Sequence, residues 1–197
     1  MAPDVDAWEP WHPRLLAERL AGLPVPWCVA AGWALDLFRG RQTRDHGDLE
    51  IAVPVTRFAE VAQRFPEIDF YVPVDGVLVP ATVETLAAGH QTWALERAAG
   101  HWRFDVFREP HDGEVWICRR DARIRRPYAD LIRHDADGLP FLAPEVALLF
   151  KAKAQRDKDS ADFAGTLPLL SADQRGWLSD ALALVHPDHP WQAAIAR

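Results

Sequence analysis

A short run of alternating polar and apolar residues, Asp48-Leu-Glu-Ile-Ala-Val53, constrains the fold of this chain more than any other feature. Strict alternation is typical of a half-buried β-strand. Residues two apart on a strand share a face, so Asp48 and Glu50 are expected to project side by side while the apolar residues face a core. Like charges held this close repel, and a bound cation compensates them. The pair is therefore a candidate cation site, and the alternative is a solvated strand face.

The residues upstream of that strand predict a turn suited to an anion. Val29 to Ala31 is a short apolar run, Gly32 allows a tight turn, and Trp33 to Phe38 has the pattern of a helix. A strand that turns through glycine into a helix directs free backbone N–H groups toward an anion such as a phosphate. One stretch of chain thus combines a candidate phosphate site with a candidate cation site.

These segments resemble the polymerase-β-type nucleotidyltransferases, and in particular the small-molecule, aminoglycoside-type members of that superfamily. The matching segments are Ala31-Gly-Trp-Ala-Leu-Asp36 and Thr43-Arg-Asp-His-Gly-Asp-Leu-Glu50. Ala31 stands where the family usually has the first of two glycines, and Glu50 stands where the second carboxylate is more often aspartate. The substitution at Ala31 bears on how closely the backbone approaches a triphosphate.

The resemblance implies an enzyme that transfers AMP, or another NMP, from ATP or another nucleoside triphosphate to a hydroxyl of a small molecule. It implies dependence on Mg²⁺, and an aminoglycoside-like antibiotic is the leading acceptor. Asp48 and Glu50 would hold the metal. The residues expected around the nucleotide in this part of the chain are Ala31, Gly32, Trp33, Arg44 and His46. For His46 a loop-capping role is equally compatible, and for Asp36 a role on the helix surface.

A third carboxylate, Asp105, lies on a second predicted strand, Trp102 to Arg108. Alternation places Trp102, Phe104 and Val106 on one face, so Asp105 is expected on the face away from the core. With Asp48 and Glu50 it would complete a carboxylate set, either as a metal ligand or as the base that takes the acceptor's proton. The alternative is an exposed strand carboxylate, and in either case its substitution is expected to cost little stability.

The C-terminal part of the chain changes to helical patterns from Pro144 onward. The segment that contains Lys151 and Lys158 also resembles the second-domain helices of the same nucleotidyltransferases. The two lysines would share a face if one helix ran through both positions, and a lysine there could reach across the cleft to the triphosphate. A solvated Lys/Asp helix surface is the alternative for both.

Composition limits the remaining possibilities. The chain has 197 residues and a net charge of −7, which argues against a general nucleic-acid binder and suits a cationic acceptor. Cys28 and Cys118 are too few for a disulfide framework and indicate free thiols in a reducing compartment. No N-terminal leader pattern and no apolar run long enough for a membrane span is present, so a cytoplasmic protein is expected.

The elements together predict an α/β (α+β) fold, with a mixed sheet flanked by helices and a C-terminal helical bundle. We expect a nucleotidyltransferase core at residues 1–142 and a helical domain at 143–197, with the cleft between them. An arginine cluster at residues 119–126 supports a rival hypothesis, a same-fold enzyme that modifies tRNA or protein, although an edge that discourages strand pairing is the simpler interpretation. A catalytically inactive binding module is the second rival. Monomer and dimer both remain open.

Overall fold

The computed structural model describes residues 3–197 of the chain and confirms the predicted mixture of strands and flanking helices. The strands are β1 Cys28–Val29, β2 Glu50–Pro54, β3 Ile68–Val74, β4 Val77–Pro80, β5 Gln91–Glu96, β6 His101–Glu109, β7 His111–Asp112, β8 Val115–Ile117, β9 Arg125–Pro127, β10 Ile132–His134 and β11 Pro140–Leu142. The helices are α1 Pro13–Leu20, α2 Ala31–Arg39, α3 Phe58–Ala62, α4 Val83–Ala88, α5 Tyr128–Leu131, α6 Pro144–Lys151, α7 Asp157–Thr166, α8 Ala172–Val185 and α9 Trp191–Ile195.

Eight of the strands form one mixed sheet in the order β10-β11-β1-β2-β6-β5-β3-β4, and β7, β8 and β9 form a small second sheet. The pairs β1–β11 and β2–β6 are parallel, and the other pairs of the large sheet are antiparallel. Strand β2 therefore lies inside the sheet, with β1 on one side and β6 on the other. This position brings the residues at its start next to those of β6.

Part of the core lies on the sheet face opposite the carboxylates. Alternate residues of β2 and β6, such as Ile51 and Phe104, are buried there against apolar side chains of α1 and α3. Helix α2 packs against α6, and α6 packs against α8. One buried cluster extends from Ile51 to Leu148 of α6 and Leu178 of α8, across the boundary expected near residue 142. The division at 1–142 and 143–197 stays a prediction.

Two predicted elements have different bounds in the structure. Strand β2 begins at Glu50, so Asp48 precedes the strand instead of lying within it. The condition under which Lys151 and Lys158 would share a helix face is not met, because α6 ends at Lys151 and α7 begins at Asp157. Gln155, between the two helices, has a φ of 46°, a left-handed conformation that an α-helix cannot continue through. Within residues 3–197, no helix is long and apolar enough to cross a membrane.

Candidate active site

The turn that leads from β1 into α2 is made by Ala31. Its φ is 49°, in the left-handed region that L-residues other than glycine rarely occupy. The expectation that Gly32 makes the tight turn is therefore wrong, since the chain reverses one residue earlier and Gly32 already lies in the helix. The N–H of Ala30 donates to the carbonyl of Glu50 at 2.7 Å, which ties the turn to the start of β2. The free N–H groups of the first turn of α2 thus lie beside the carboxylates.

Gly32 is required for a different reason, which is the close approach of two side chains. A Cβ at this position would lie 2.4 Å from Nη2 of Arg44 and 2.8 Å from Cε1 of His46. Real Cβ atoms do not approach other atoms so closely. The absence of a side chain at Gly32 therefore allows Arg44 and His46 to fold back over the start of α2.

His46 and Asp36 form a buried pair that braces this arrangement. Nε2 of His46 lies 2.7 Å from Oδ2 of Asp36, and the N–H of Thr43 donates to the same carboxylate at 3.1 Å. Burial raises the pKa of Asp36, but the hydrogen bonds from Thr43 and His46 outweigh it and leave the pKa below its usual value. Burial lowers the pKa of His46. The Trp33 ring stacks on His46 with centroids 4.4 Å apart. The Trp33 side chain therefore packs on the brace and leaves only its backbone N–H for a nucleotide.

The three predicted carboxylates lie together near the start of the central strand β2. Glu50 and Asp105 are direct register partners in the parallel pair β2–β6, and Asp48 lies two residues before Glu50. Burial, followed by the charges of Asp48 and Asp105, raises the pKa of Glu50 to about 8. Burial and the charge of Asp48 also raise the pKa of Asp105 to about 7, against hydrogen bonds that lower it. Burial and the neighbouring carboxylates therefore favour the protonated forms of Glu50 and Asp105.

Asp105 is buried, which corrects the expectation of an exposed site. Only 4% of its surface is accessible. Nε2 of Gln91 donates to its Oδ2 at 2.8 Å, and the N–H of Thr92 donates to its Oδ1 at 3.2 Å. Strand β5 pairs with β6 beside Asp105. Alternation within β6 alone does not show the burial that this pairing produces. Asp105 consequently lies behind the wall of the cleft, while Asp48 and Glu50 form part of that wall.

The opposite wall carries the two predicted lysines in different environments. Nζ of Lys151 is buried 3.0 Å from Oδ1 of Asp159 and 2.9 Å from Oδ2 of Asp162. Nη2 of Arg44 lies 3.4 Å from the same Oδ2 of Asp162. Lys158 is exposed at the start of α7. The charges of Lys151 and Lys158 lower the pKa of Glu50, so both lysines face the carboxylates across the cleft.

One cleft of about 200 Å³ brings these walls together. Its charged lining includes Arg44, Asp48, Glu50, Lys151 and Lys158, together with Arg156, which the sequence analysis missed. The lining also includes Arg119 of the predicted arginine cluster and four residues that were missed, namely Phe107, Glu109, Trp116 and Phe150. Alternation from Asp105 places residues 107 and 109 on the same face of β6, so this pattern could have identified two of them.

The arginine cluster at residues 119–126 is largely engaged within the protein. Arg119 pairs with Glu109, Arg126 pairs with Glu145, and Arg123 pairs with Asp121. Arg120 donates to the carbonyls of Leu149 and Phe150 at 2.8 Å each. Arg119, Arg120 and Arg126 therefore tie the small sheet to β6 and α6, while Arg123 and Arg125 are exposed.

The donor chemistry of the cleft fits a hard divalent cation at Asp48 and Glu50. Carboxylate oxygens are the ligands that Mg²⁺ prefers, and in nucleotide sites one or two carboxylates suffice when phosphate oxygens complete the shell. Within residues 3–197, no three His, Cys, Asp or Glu side chains are arranged to hold an ion by themselves. Both oxygens of Asp105 accept hydrogen bonds within the protein, and its predicted role as a third ligand stays a prediction.

Comparison with known proteins identifies the same relatives as the motifs. Residues 14–90 match the family model for aminoglycoside-2''-adenylyltransferase. No curated protein sequence matches the chain significantly. A lincomycin-bound lincosamide antibiotic adenylyltransferase superposes with a TM-score of 0.56 at 14% identity, covering 80% of this chain and 95% of that one.

The antibiotic-resistance factor ANT(2'')-Ia is similar in two structures. Its solution structure gives a TM-score of 0.57 at 16% identity and covers 89% of this chain and 94% of that one. Its complex with adenylyl-2''-tobramycin gives 0.57 at 12% identity, with 86% and 94% covered. These relatives and the matched family are nucleotidyltransferase enzymes. The chain thus has the nucleotidyltransferase fold and resembles the antibiotic adenylyltransferases, as its sequence predicted.

Proposed function

We propose that the chain transfers AMP, or another NMP, from a nucleoside triphosphate to a hydroxyl of a small molecule, with an aminoglycoside-like antibiotic as the leading acceptor. The observation that carries the proposal is a single cleft with carboxylates on one wall and cationic side chains on the other. Lys151, Lys158, Arg44 and Arg156 carry four positive charges, and all but Lys158 pair with Asp159 or Asp162, so the wall keeps a net positive charge for a triphosphate. The start of α2 adds unpaired backbone N–H groups.

In the proposed reaction the acceptor oxygen attacks the α-phosphorus of the nucleotide. The new O–P bond forms as the bond between the α-phosphorus and the bridging oxygen breaks, and pyrophosphate leaves with that oxygen. The acceptor hydroxyl loses its proton, and Asp105, with a pKa of about 7, is suited to receive it. Gln91 and Thr92 hold Asp105 in place.

Asp48 and Glu50 would hold Mg²⁺, which when bound neutralises charge on the phosphates. Both carboxylates otherwise repel each other and the triphosphate. The cationic wall holds the β- and γ-phosphates, and its role is to orient the leaving pyrophosphate. The side chains of Trp33 and His46 have no substrate role in these assignments, because they stack on each other and His46 pairs with Asp36.

The rival hypotheses lose support in the structure. A tRNA-modifying or protein-modifying enzyme needs an anchoring surface, but Arg119, Arg120 and Arg126 of the cluster proposed for it are engaged within the protein. An inactive binding module does not need Glu50 and Asp105 paired on adjacent strands. Carboxylates that repel each other at such close range are kept mainly at functional sites. A lincosamide is the second candidate acceptor, because a lincosamide adenylyltransferase shares this fold over 95% of its length.

The test is transfer itself. The protein is incubated with each of the four NTPs, Mg²⁺ and either tobramycin or lincomycin, and products are analysed by mass for a nucleotide adduct. We expect an adduct of AMP or another NMP and equimolar pyrophosphate. Asp48→Asn serves as the matched control, with transfer below about 1% of wild type because the cation loses a ligand. An adduct that forms equally with Asp48→Asn would contradict the metal assignment, and no adduct with any pair would contradict the proposed acceptors.

A further inference from the structure

Asp162 of α7 is a buried carboxylate that two cationic residues of the cleft share. Nζ of Lys151 lies 2.9 Å from its Oδ2, and Nη2 of Arg44 lies 3.4 Å from the same oxygen. Lys151 is the last residue of α6, whereas Arg44 belongs to the loop between α2 and β2. One carboxylate oxygen therefore joins cations from two distant segments of the chain.

Asp162 is not placed to contact a substrate itself. Only 3% of its surface is accessible, and the cleft is lined by Arg44 and Lys151 but not by Asp162. An effect of Asp162 on a bound triphosphate therefore passes through Arg44 or Lys151. The long side chains of arginine and lysine lose conformational freedom when they are held in one place. A buried carboxylate that holds both before the nucleotide arrives removes this cost from the binding step.

Arg39 fixes the position of Asp162 relative to α2. Nη2 of Arg39 donates to the backbone carbonyl of Asp162 and, at 2.8 Å, to Oγ1 of Thr166. The same nitrogen passes so close to α7 that a Cβ at Gly165 would lie 3.0 Å from it. Arg39 is the last residue of α2, the helix whose first turn carries the free N–H groups of the cleft. Asp162 therefore holds both cations in a fixed position relative to those N–H groups.

We propose that Asp162 is a positioning residue for the triphosphate, which holds Arg44 and Lys151 where the phosphate oxygens of the bound nucleotide lie. This inference rests on the proposed function and specifies how the cationic wall of the cleft is organised. A negative charge near a triphosphate by itself repels it, so its removal would tighten nucleotide binding. The loss of a positioning residue weakens nucleotide binding instead. The two effects have opposite signs, and a substitution that removes the charge of Asp162 distinguishes them.

The test removes the charge and keeps the shape of the side chain. Inorganic triphosphate, a probe that carries the phosphates without a base, is titrated calorimetrically with Mg²⁺ into the wild type and into Asp162→Asn. We expect Asp162→Asn to weaken the affinity by roughly 10-fold to 100-fold, the scale of loss that follows when a positioned group is misplaced by about 1 Å. Equal or tighter binding of inorganic triphosphate would overturn the proposal.

A double-mutant cycle shows whether Asp162 acts through Arg44. In the Arg44→Met background the loss caused by Asp162→Asn should fall to about 3-fold, because one of the two side chains that it positions is absent. Asp159→Asn is the matched control, since Asp159 is also buried on α7 and also pairs with Lys151. Its second partner is Arg156, so its effect should be the same in both backgrounds. Full additivity of Asp162→Asn and Arg44→Met would overturn the proposal.

Transfer kinetics separate this proposal from the proposed function. With Asp162→Asn the KM for the nucleoside triphosphate should rise about 10-fold while the KM for the acceptor stays unchanged. Wild-type transfer combined with a triphosphate affinity that is indifferent to Asp162 would overturn the positioning role and leave the transferase intact. Asp162-dependent triphosphate binding without transfer to any acceptor would overturn the transferase and leave the positioning role. If Asp162→Asn fails to fold, Asp162→Glu takes its place, because it keeps the charge but moves it by one methylene group, with an expected loss of about 3-fold to 10-fold.

Discussion

Glu50 and Asp105 are paired directly across the parallel strands β2 and β6, so two carboxylates that lie 55 residues apart in the chain share one face of the sheet. A short polar loop brings Asp48 beside them. The fold holds this charge in place because both strands are central and buried on their other face. Burial, together with repulsion from the neighbouring carboxylates, raises the pKa values of Glu50 and Asp105.

The metal-free protein should become less stable as the pH rises from about 5 to about 8. The pKa of Glu50 is about 8 in the folded protein and 4.5 in an unperturbed glutamate, so the folded state binds more protons than the unfolded state in this interval. The free energy of unfolding therefore falls, by at most about 1.4 kcal/mol per pH unit for this group. Urea unfolding with a chelator present measures the slope.

The Glu50→Gln variant is the control for this pH dependence. It should flatten the slope between pH 5 and pH 8, leaving a smaller part that comes from Asp105. Mg²⁺ should raise the stability of the wild type more at pH 8 than at pH 5, since the cation binds the ionised carboxylates. A wild-type slope that is unaffected by Glu50→Gln would show that this carboxyl is not the group responsible.

Asp105→Asn should slow transfer by roughly 10²–10⁴-fold, the usual effect of losing a general base, with Mg-ATP affinity nearly unchanged. It should also destabilise the protein by about 1–3 kcal/mol, because an amide offers one oxygen to the two donors Gln91 and Thr92. Single-turnover kinetics, calorimetry and urea unfolding measure the three quantities. Weakened Mg-ATP binding would favour a ligand role for Asp105 over a base role.

We expect Ala31→Gly to be favourable for the protein and Gly32→Ala to be unfavourable. Ala31→Gly should stabilise the protein by about 0.5–1 kcal/mol, since glycine relieves the strain of a φ of 49°. Gly32→Ala should displace Arg44 and His46, which the new Cβ would contact, and raise the KM for nucleotide. Thermal unfolding and nucleotide titration test the pair. A Gly32→Ala protein with wild-type nucleotide affinity would contradict the phosphate role of Arg44.

Lys151→Met and Lys158→Met should separate a structural cation from a substrate-binding one. Lys151→Met leaves Asp159 and Asp162 with one buried partner fewer and should cost about 3 kcal/mol of unfolding free energy. Lys158 is exposed, so its replacement should change stability by less than about 0.5 kcal/mol and raise the KM for ATP several-fold. Equal stability of the two variants would contradict the role of Lys151 in joining α6 to α7.

The sequence by itself determined the strand–turn–helix motif and the carboxylates at its end. Alternation from Asp48 to Val53 and the apolar run before Gly32 are local patterns, and local patterns report backbone geometry directly. Alternation from Trp102 to Arg108 placed Asp105 on the face away from the core, and the register pairs it with Glu50. The same alternation was wrong for Trp102, because the register shift between Ala94 and Leu95 moves it off the face of Phe104. These features sufficed to predict the fold class and the family resemblance.

Only the tertiary structure decided which neighbours surround those residues. Asp105 is buried because β5 lies beside it, and Lys151 is ion-paired because α7 supplies Asp159. The Trp33 ring stacks on His46 because His46 folds back over Gly32. The register pairs Glu50–Asp105 and Asp105–Trp93 join the strands β2, β6 and β5, and no single segment of the sequence specifies these pairings. Burial and pKa arise from contacts between segments distant in the chain, so a pattern within one segment could not reveal them.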